Sequence, residues 1–147
     1  QDKLSARLMG KKANGHGRRQ DFSHWPLPRM SNTYLAPGEY APEEIIHSVK
    51  KGFYVGHLSG GQVEDSGQFT FSVTLGFLIE NGRLTRPVKQ ATLIGTNLDI
   101  LQKVEMVGQD LDFGLQTATC GKDGQQVPVN DGCPTMKITG MTIGGQL

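Results

Sequence analysis

The sequence predicts an α+β domain in which mostly antiparallel β-strands are combined with two or three short helices. Glycine and proline supply 20 and 7 of the 147 residues, which favours many turns and short elements. Residues 68–80 alternate apolar side chains with mostly polar or small ones, the pattern of a strand with one buried face. Helix signals agree best in one short segment, residues 41–52. Strands therefore dominate the predicted fold.

Three short helices are predicted, over residues 2–9, 41–52 and about 98–103. Each is bounded by a residue type that is common at a helix end. The residues that indicate them are Asp2, Leu4, Leu8 and Gly10 for the first, Pro42, Glu43, Glu44, Lys50, Lys51 and Gly52 for the second, and Thr96 or Asn97 as the cap of the third. We expect Ile45, Ile46 and Val49 to form the buried stripe of the second helix.

The clearest β signal is a hairpin. Asn81-Gly82 suits a two-residue type I′ turn, so residues 83–94 should return antiparallel to residues 68–80. Pro87 has no N–H to donate, so the returning strand should be bulged or at an edge there. Further strands are expected at residues 104–107, 127–129 and 136–143.

The chain is expected to divide near residue 30. Residues 1–29 are interpreted as the end of a helix followed by a long basic connector without periodicity, and residues 30–147 as a C-terminal β-rich domain. Because the chain opens with Gln1 rather than methionine, we expect it to be part of a longer protein.

Composition excludes several classes of protein. The net charge of +1 gives no large basic surface for nucleic acid or an anionic membrane. No apolar run approaches the roughly 20 residues that cross a bilayer, and no secretory signal is present at the start. Two cysteines are too few for a disulfide scaffold, although one bridge between them is compatible with the spacing. A soluble, cytoplasmic protein is predicted.

The histidines do not form a known metal motif. None of the four, His16, His24, His47 and His57, is followed by glutamate, so His-Glu-x-x-His is absent. Glu44 and His47 stand three residues apart on the second predicted helix, a spacing found in carboxylate-bridged metal sites, but a single copy is far more often a solvated helix face.

Cys120 is the residue with the most chemical potential. It lies in a stretch of small residues, 119–125, that is interpreted as a turn between two strands. A lone cysteine is most often a small buried apolar residue. The alternative is a functional thiol, whose pKa the nearby Lys122 would lower in favour of the thiolate.

Many short motifs resemble, in order and spacing, the C-terminal end of TldD/PmbA metallopeptidases, a family also called modulators of DNA gyrase. These motifs are residues 1–4, 14–19, 28–34, 60–63, 91–95, 106–108 and 120–122. The resemblance covers essentially the whole chain.

The resemblance implies a zinc-dependent peptidase that cleaves unfolded or ribosomally made peptides together with a homologous TldE/PmbA subunit. In this family a His-Glu-x-x-x-His helix of an earlier domain supplies two zinc ligands and the catalytic glutamate, and a C-terminal cysteine matching Cys120 completes the site. This segment lacks that motif. It is therefore predicted to be inactive by itself and to contain no catalytic residue.

Other residue roles follow from the same resemblance. Arg29 and Asn32 belong to a family-typical run and are expected either to line the peptide cleft or to brace the domain. Cys133 stands where the family usually has another residue and is interpreted as incidental. Two alternative functions are a non-catalytic interaction or dimerisation module and direct action on DNA. The second is disfavoured, because Lys11, Lys12, Arg18 and Arg19 are the only basic cluster.

Overall fold

A computed structural model describes residues 3–114 and 118–145. The chain forms two compact units, which are described separately: unit 1 comprises Gln1–Ala36 and Leu111–Cys133, and unit 2 comprises Pro37–Asp110 and Pro134–Leu147. The boundary near residue 30 stays a prediction. The cap assigned to Asp2 lies outside the described residues.

The predicted fold class is confirmed, since the described residues contain short helices and mainly antiparallel strands. The elements in chain order are α1 Lys3–Leu8, β1 Gly17–Arg18, β2 Leu27–Pro28, β3 Asn32–Tyr34, α2 Pro42–His47, β4 Lys51–Val63, β5 Gln68–Glu80, β6 Arg83–Val88, β7 Ala91–Thr96, α3 Asn97–Gln102, β8 Val104–Val107, β9 Asp112–Phe113, β10 Ala118–Lys122, β11 Gln125–Cys133, β12 Met136–Ile138 and β13 Thr142–Gly144. No described helix is long and apolar enough to cross a membrane.

Unit 1 is organised around the hairpin of β10 and β11. These strands pair antiparallel, while β11 also pairs with β3 in parallel and with β9 antiparallel. Inward side chains alternate along β11, where Val127 and Val129 are buried. In the predicted connector, β1 and β2 form a small antiparallel pair. This pair was not predicted from the sequence, because two-residue strands leave no periodic pattern.

Unit 2 is built on a five-stranded sheet in the order β13-β7-β5-β4, with β6 also paired to β5. Its core contains the buried side chains of Val73, Val88, Ala91 and Leu93. Strand β5 has the predicted bounds, and Asn81 and Gly82 both have positive φ, as a type I′ turn requires.

The predicted return strand 83–94 is divided into two. Strand β6 ends at Val88 and β7 begins at Ala91, with Gln90 between them at φ 58°. Both still run antiparallel to β5. The register of β6 shifts near Pro87, which lies opposite Phe77, so the prediction of a bulge there is confirmed.

Helix α2 is shorter than predicted, because it ends at His47 rather than near Gly52. The Asn81 N–H donates to Lys50 O and the Gly82 N–H donates to Val49 O, at 2.8 and 2.9 Å. These bonds hold the segment after the helix against the β5–β6 turn, and β4 begins at once at Lys51.

Candidate metal-ligand site

Cys120 lies inside β10 and not in a turn, which corrects the sequence-based expectation. The turn is Asp123-Gly124, where both residues have positive φ. In the hairpin Cys120 faces Val127 across the strands, and it is half-buried. Cys120 and Cys133 are thiols and form no disulfide. A cysteine on a paired strand has a well-defined backbone position, which suits a residue that must hold a ligand atom in place.

The side chain of Arg29 is hydrogen-bonded to both strands of this hairpin. Only 5% of it is exposed, and its Nη2 donates to the carbonyl oxygens of Cys120 and of Gln125, the latter at 3.1 Å. Its Nε and Nη1 are buried and have no hydrogen-bond acceptor among residues 3–114 and 118–145. A buried guanidinium with unused N–H groups is costly, so an acceptor nearby would be strongly favoured.

Arg18 makes a second set of bridging contacts. Its Nη1 donates to Pro128 O on β11 at 2.9 Å, and its Nη2 donates to Met30 O. Its Nε is buried, and no described residue provides an acceptor for it. Among the ion pairs of the described residues, none joins Arg18 or Arg29 to a carboxylate. In the described part of the chain, two cationic groups therefore lie beside Cys120 and form no ion pair with a carboxylate.

This environment lowers the pKa of Cys120 below its ordinary value. The main cause is a hydrogen bond from the Met30 backbone N–H, followed by one from the Arg29 side chain and by the positive charges of Arg29 and Arg18, while partial burial opposes them. Lys122, the predicted cause, instead donates from Nζ to Pro28 O at 3.1 Å. The expectation that Lys122 lowers the pKa of Cys120 was wrong, because Lys122 is not among the causes of the shift.

The connector before Arg29 is held against the hairpin by glutamine side chains. Gln125 is only 4% exposed, accepts from the Gln20 N–H at 3.2 Å and donates to Trp25 O at 3.1 Å. In return, Gln20 Oε1 accepts from the Gln126 N–H at 2.8 Å. The segment predicted as a long basic connector is thus attached to the hairpin that contains Cys120.

A tight turn within this connector is organised by Asp21. Its Oδ1 accepts from the Ser23 N–H and Oγ, at 2.9 and 2.6 Å, and lies 2.7 Å from His24 Nδ1. The pKa of Asp21 falls to about 2, first because of the Ser23 hydroxyl and then because of His24. His24 is thereby engaged as a hydrogen-bonded loop residue.

The remaining candidate residues lie in different settings. Asn32 is exposed on β3, and Cys133 is exposed at the end of β11. Glu44 Oε2 accepts from the Ala41 N–H at 2.8 Å, so this carboxylate caps α2, while His47 is exposed at the other end of that helix. The Glu44 contact favours the solvated-face interpretation over a metal pair.

The residues present fit a metal only in part. Cys120 offers a half-buried thiol whose ionised form is favoured by its neighbours, and zinc binds thiolates well. Across residues 3–114 and 118–145, however, no three His, Cys, Asp or Glu side chains come together as a metal site. The chain therefore fits zinc as the source of a single ligand, with further ligands supplied from elsewhere.

Comparison with known proteins finds the same domain within longer proteins. A family model described as "PmbA/TldA metallopeptidase C-terminal domain" matches residues 1–145. The Metalloprotease TldD homolog of Haemophilus influenzae is 48% identical over 99% of this chain, and the Zinc metalloprotease TldD homolog of Saccharolobus solfataricus is 31% identical over 98%. TldE from Thermococcus kodakarensis shares the fold, with a TM-score of 0.76 at 21% identity, over 98% of this chain and 30% of that one.

The fold and these matches identify a domain of the kind that the family model describes as a metallopeptidase C-terminal domain. The chain belongs to the PmbA/TldD family. It spans about 30% of the length of the curated relatives it matches, 30% for the H. influenzae protein and 32% for the S. solfataricus protein.

Proposed function

We propose that this domain supplies Cys120 as one zinc ligand of a peptidase whose other ligands and catalytic glutamate belong to a His-Glu-x-x-x-His helix in another domain. The observation that carries the proposal is the setting of Cys120: a strand-borne, half-buried thiol beside two guanidiniums that favour its ionised form. The names of the relatives, which include a zinc metalloprotease, support the choice of metal.

Zinc, when bound, would act as a Lewis acid that polarises a peptide carbonyl and lowers the pKa of a coordinated water. The residues of this chain would hold the thiolate and position it. The Met30 N–H and the Arg29 guanidinium stabilise negative charge on the Cys120 sulfur. With one ligand and no general base, the domain alone is expected to be inactive.

We further propose that the substrate is an unfolded or ribosomally made peptide that runs beside Arg29 and Asn32. Among the described strands, β3 pairs with β11 on one side and is the edge strand of its sheet. Its other edge can therefore accept an extended peptide through backbone hydrogen bonds. Asn32 is exposed on this strand, whereas the buried Arg29 would act through the hairpin that it holds. The complete enzyme is proposed to work in the cytoplasm with a homologous TldE/PmbA subunit.

The test compares the two cysteines in the complete protein with its partner. Cys120→Ser should abolish peptide cleavage and reduce the zinc content, because one of three ligands loses its thiolate. Cys133→Ser is the matched control and should keep both. Full activity with full zinc content in Cys120→Ser would overturn the proposal and would favour the alternative, a non-catalytic interaction or dimerisation module.

A further inference from the structure

We propose that Arg18 and Arg29 act as a pair of positioning residues that hold the Cys120 ligand in place, a role that rests on the proposed function. Nothing in the family resemblance assigns a role to Arg18, which the sequence places in a basic connector. The geometry points to the pair because Arg29 binds the carbonyl of Cys120 itself and Arg18 binds the carbonyl of Pro128 on the paired strand.

The first step in the argument is the location of Arg18. The pairing of β1 with β2 sets Arg18 opposite Leu27 and therefore close to the segment that continues into Arg29. From there its guanidinium reaches two separate stretches of chain: Pro128 O on the second strand of the hairpin and Met30 O in the segment before β3. A planar fork can bridge two such carbonyls, which a single ammonium does less well.

The second step is the contact made by Arg29. Its Nη2 binds Cys120 O on β10 and Gln125 O on β11, so one guanidinium nitrogen holds both strands of the hairpin. Met30 links Arg18 to Cys120, because its carbonyl accepts from Arg18 and its N–H acts on the Cys120 thiol. Arg29 thus binds the carbonyl of Cys120, while Arg18 binds Met30, whose N–H acts on the Cys120 sulfur.

The third step is the set of unused donors. Three buried nitrogens, Arg18 Nε and Arg29 Nε and Nη1, have no acceptor in the described part of the chain. Because these atoms are buried, they are poorly suited to capture phosphates of nucleic acid from solvent. Hydrogen bonds that orient a metal-ligating side chain typically change metal affinity by 10–100-fold when they are removed. We assign this orienting role to Arg18 and Arg29.

The experiment uses the complete protein and two neighbouring arginines. Arg18→Met removes both bridging hydrogen bonds, whereas Arg19→Met removes the same charge from an exposed neighbour. Zinc affinity is measured by competition with a chelator, and the cobalt-substituted protein is examined for thiolate-to-metal charge-transfer absorption. We expect Arg18→Met to bind zinc about 10–100-fold more weakly and to shift that absorption, while Arg19→Met behaves as wild type.

A role limited to folding gives a different result. Arg18→Met would then melt at a lower temperature while its zinc affinity and cobalt spectrum, measured well below melting, stayed at wild-type values, and the positioning role would be overturned. If Arg18→Met does not fold, Arg18→Lys keeps the charge without the fork and should show weaker zinc binding; unchanged binding in that variant would equally overturn the role. If instead Cys120→Ser retains full zinc, the proposed function itself has failed.

Discussion

The attachment of the connector to the hairpin can be tested at Gln125. Gln125→Leu keeps a similar volume but removes the acceptor for the Gln20 N–H and the donor to Trp25 O. Each neutral hydrogen bond contributes about 0.5–1.5 kcal/mol, and leaving a buried polar partner unpaired costs about 1–3 kcal/mol. Because Gln20 and Trp25 are exposed and can bind water once the connector lifts, the loss should be limited to about 2 kcal/mol.

Hydrogen exchange resolved by residue is the direct assay for this loss. The reporter is the Arg29 N–H, which donates to His16 O at 2.9 Å inside the connector. A loss of about 2 kcal/mol should speed its exchange roughly 30-fold if exchange follows local opening. Gln126→Leu is the matched control, because that exposed side chain faces away from these bonds and should leave the rate unchanged. Equal rates in wild type and Gln125→Leu would refute the reasoning.

Three further predictions concern pH, packing and substrate. The folded pKa of Asp21 is depressed from 3.8 to about 2, so the stability that its turn gains is fully present above pH 3.8 and is lost as pH falls toward 2. NMR titration should show the turn opening in that pH window. A titration midpoint of Asp21 near 3.8 would contradict this prediction. Gly38→Ala should destabilise unit 2 by about 1–3 kcal/mol in urea unfolding, because a Cβ there would lie 2.2 Å from Val107 O. Gly60→Ala is the control and should be neutral, because there is open space around Gly60. Equal effects of the two substitutions would exclude the packing of Gly38 against Val107. Asn32→Ala in the complete enzyme should raise KM for peptides, and unchanged kinetics would assign Asn32 a bracing role.

Much of the fold was predictable because local signals agree with the final pairing. The alternation in β5 and the Asn81-Gly82 turn act over neighbouring residues, and both were placed correctly. Strand β4 was missed, since its glycine-rich sequence has no regular alternation. It pairs with β5 along its length through several register shifts, so its structure depends on a neighbouring strand rather than on its own residues.

The candidate site, like the fold, could be predicted from the sequence only in part. Cys120 was identified from a family resemblance, but its position on a strand was not, because Gly121 and Gly124 suggested a longer turn. Arg29 was named from the same resemblance, with cleft lining and bracing as alternatives, but its contact with Cys120 was not predicted, and Arg18 was not singled out. Arg18 comes within reach of β11 only through tertiary contacts across 110 positions of the chain, and nothing local distinguishes it from Arg19.

X-ray absorption at the zinc edge of the complete protein tests the central claim most directly. The account predicts one sulfur ligand at about 2.3 Å in wild type, its disappearance in Cys120→Ser and its persistence in Cys133→Ser. A zinc shell made only of nitrogen and oxygen in the wild-type protein would contradict the assignment of Cys120 as a metal ligand.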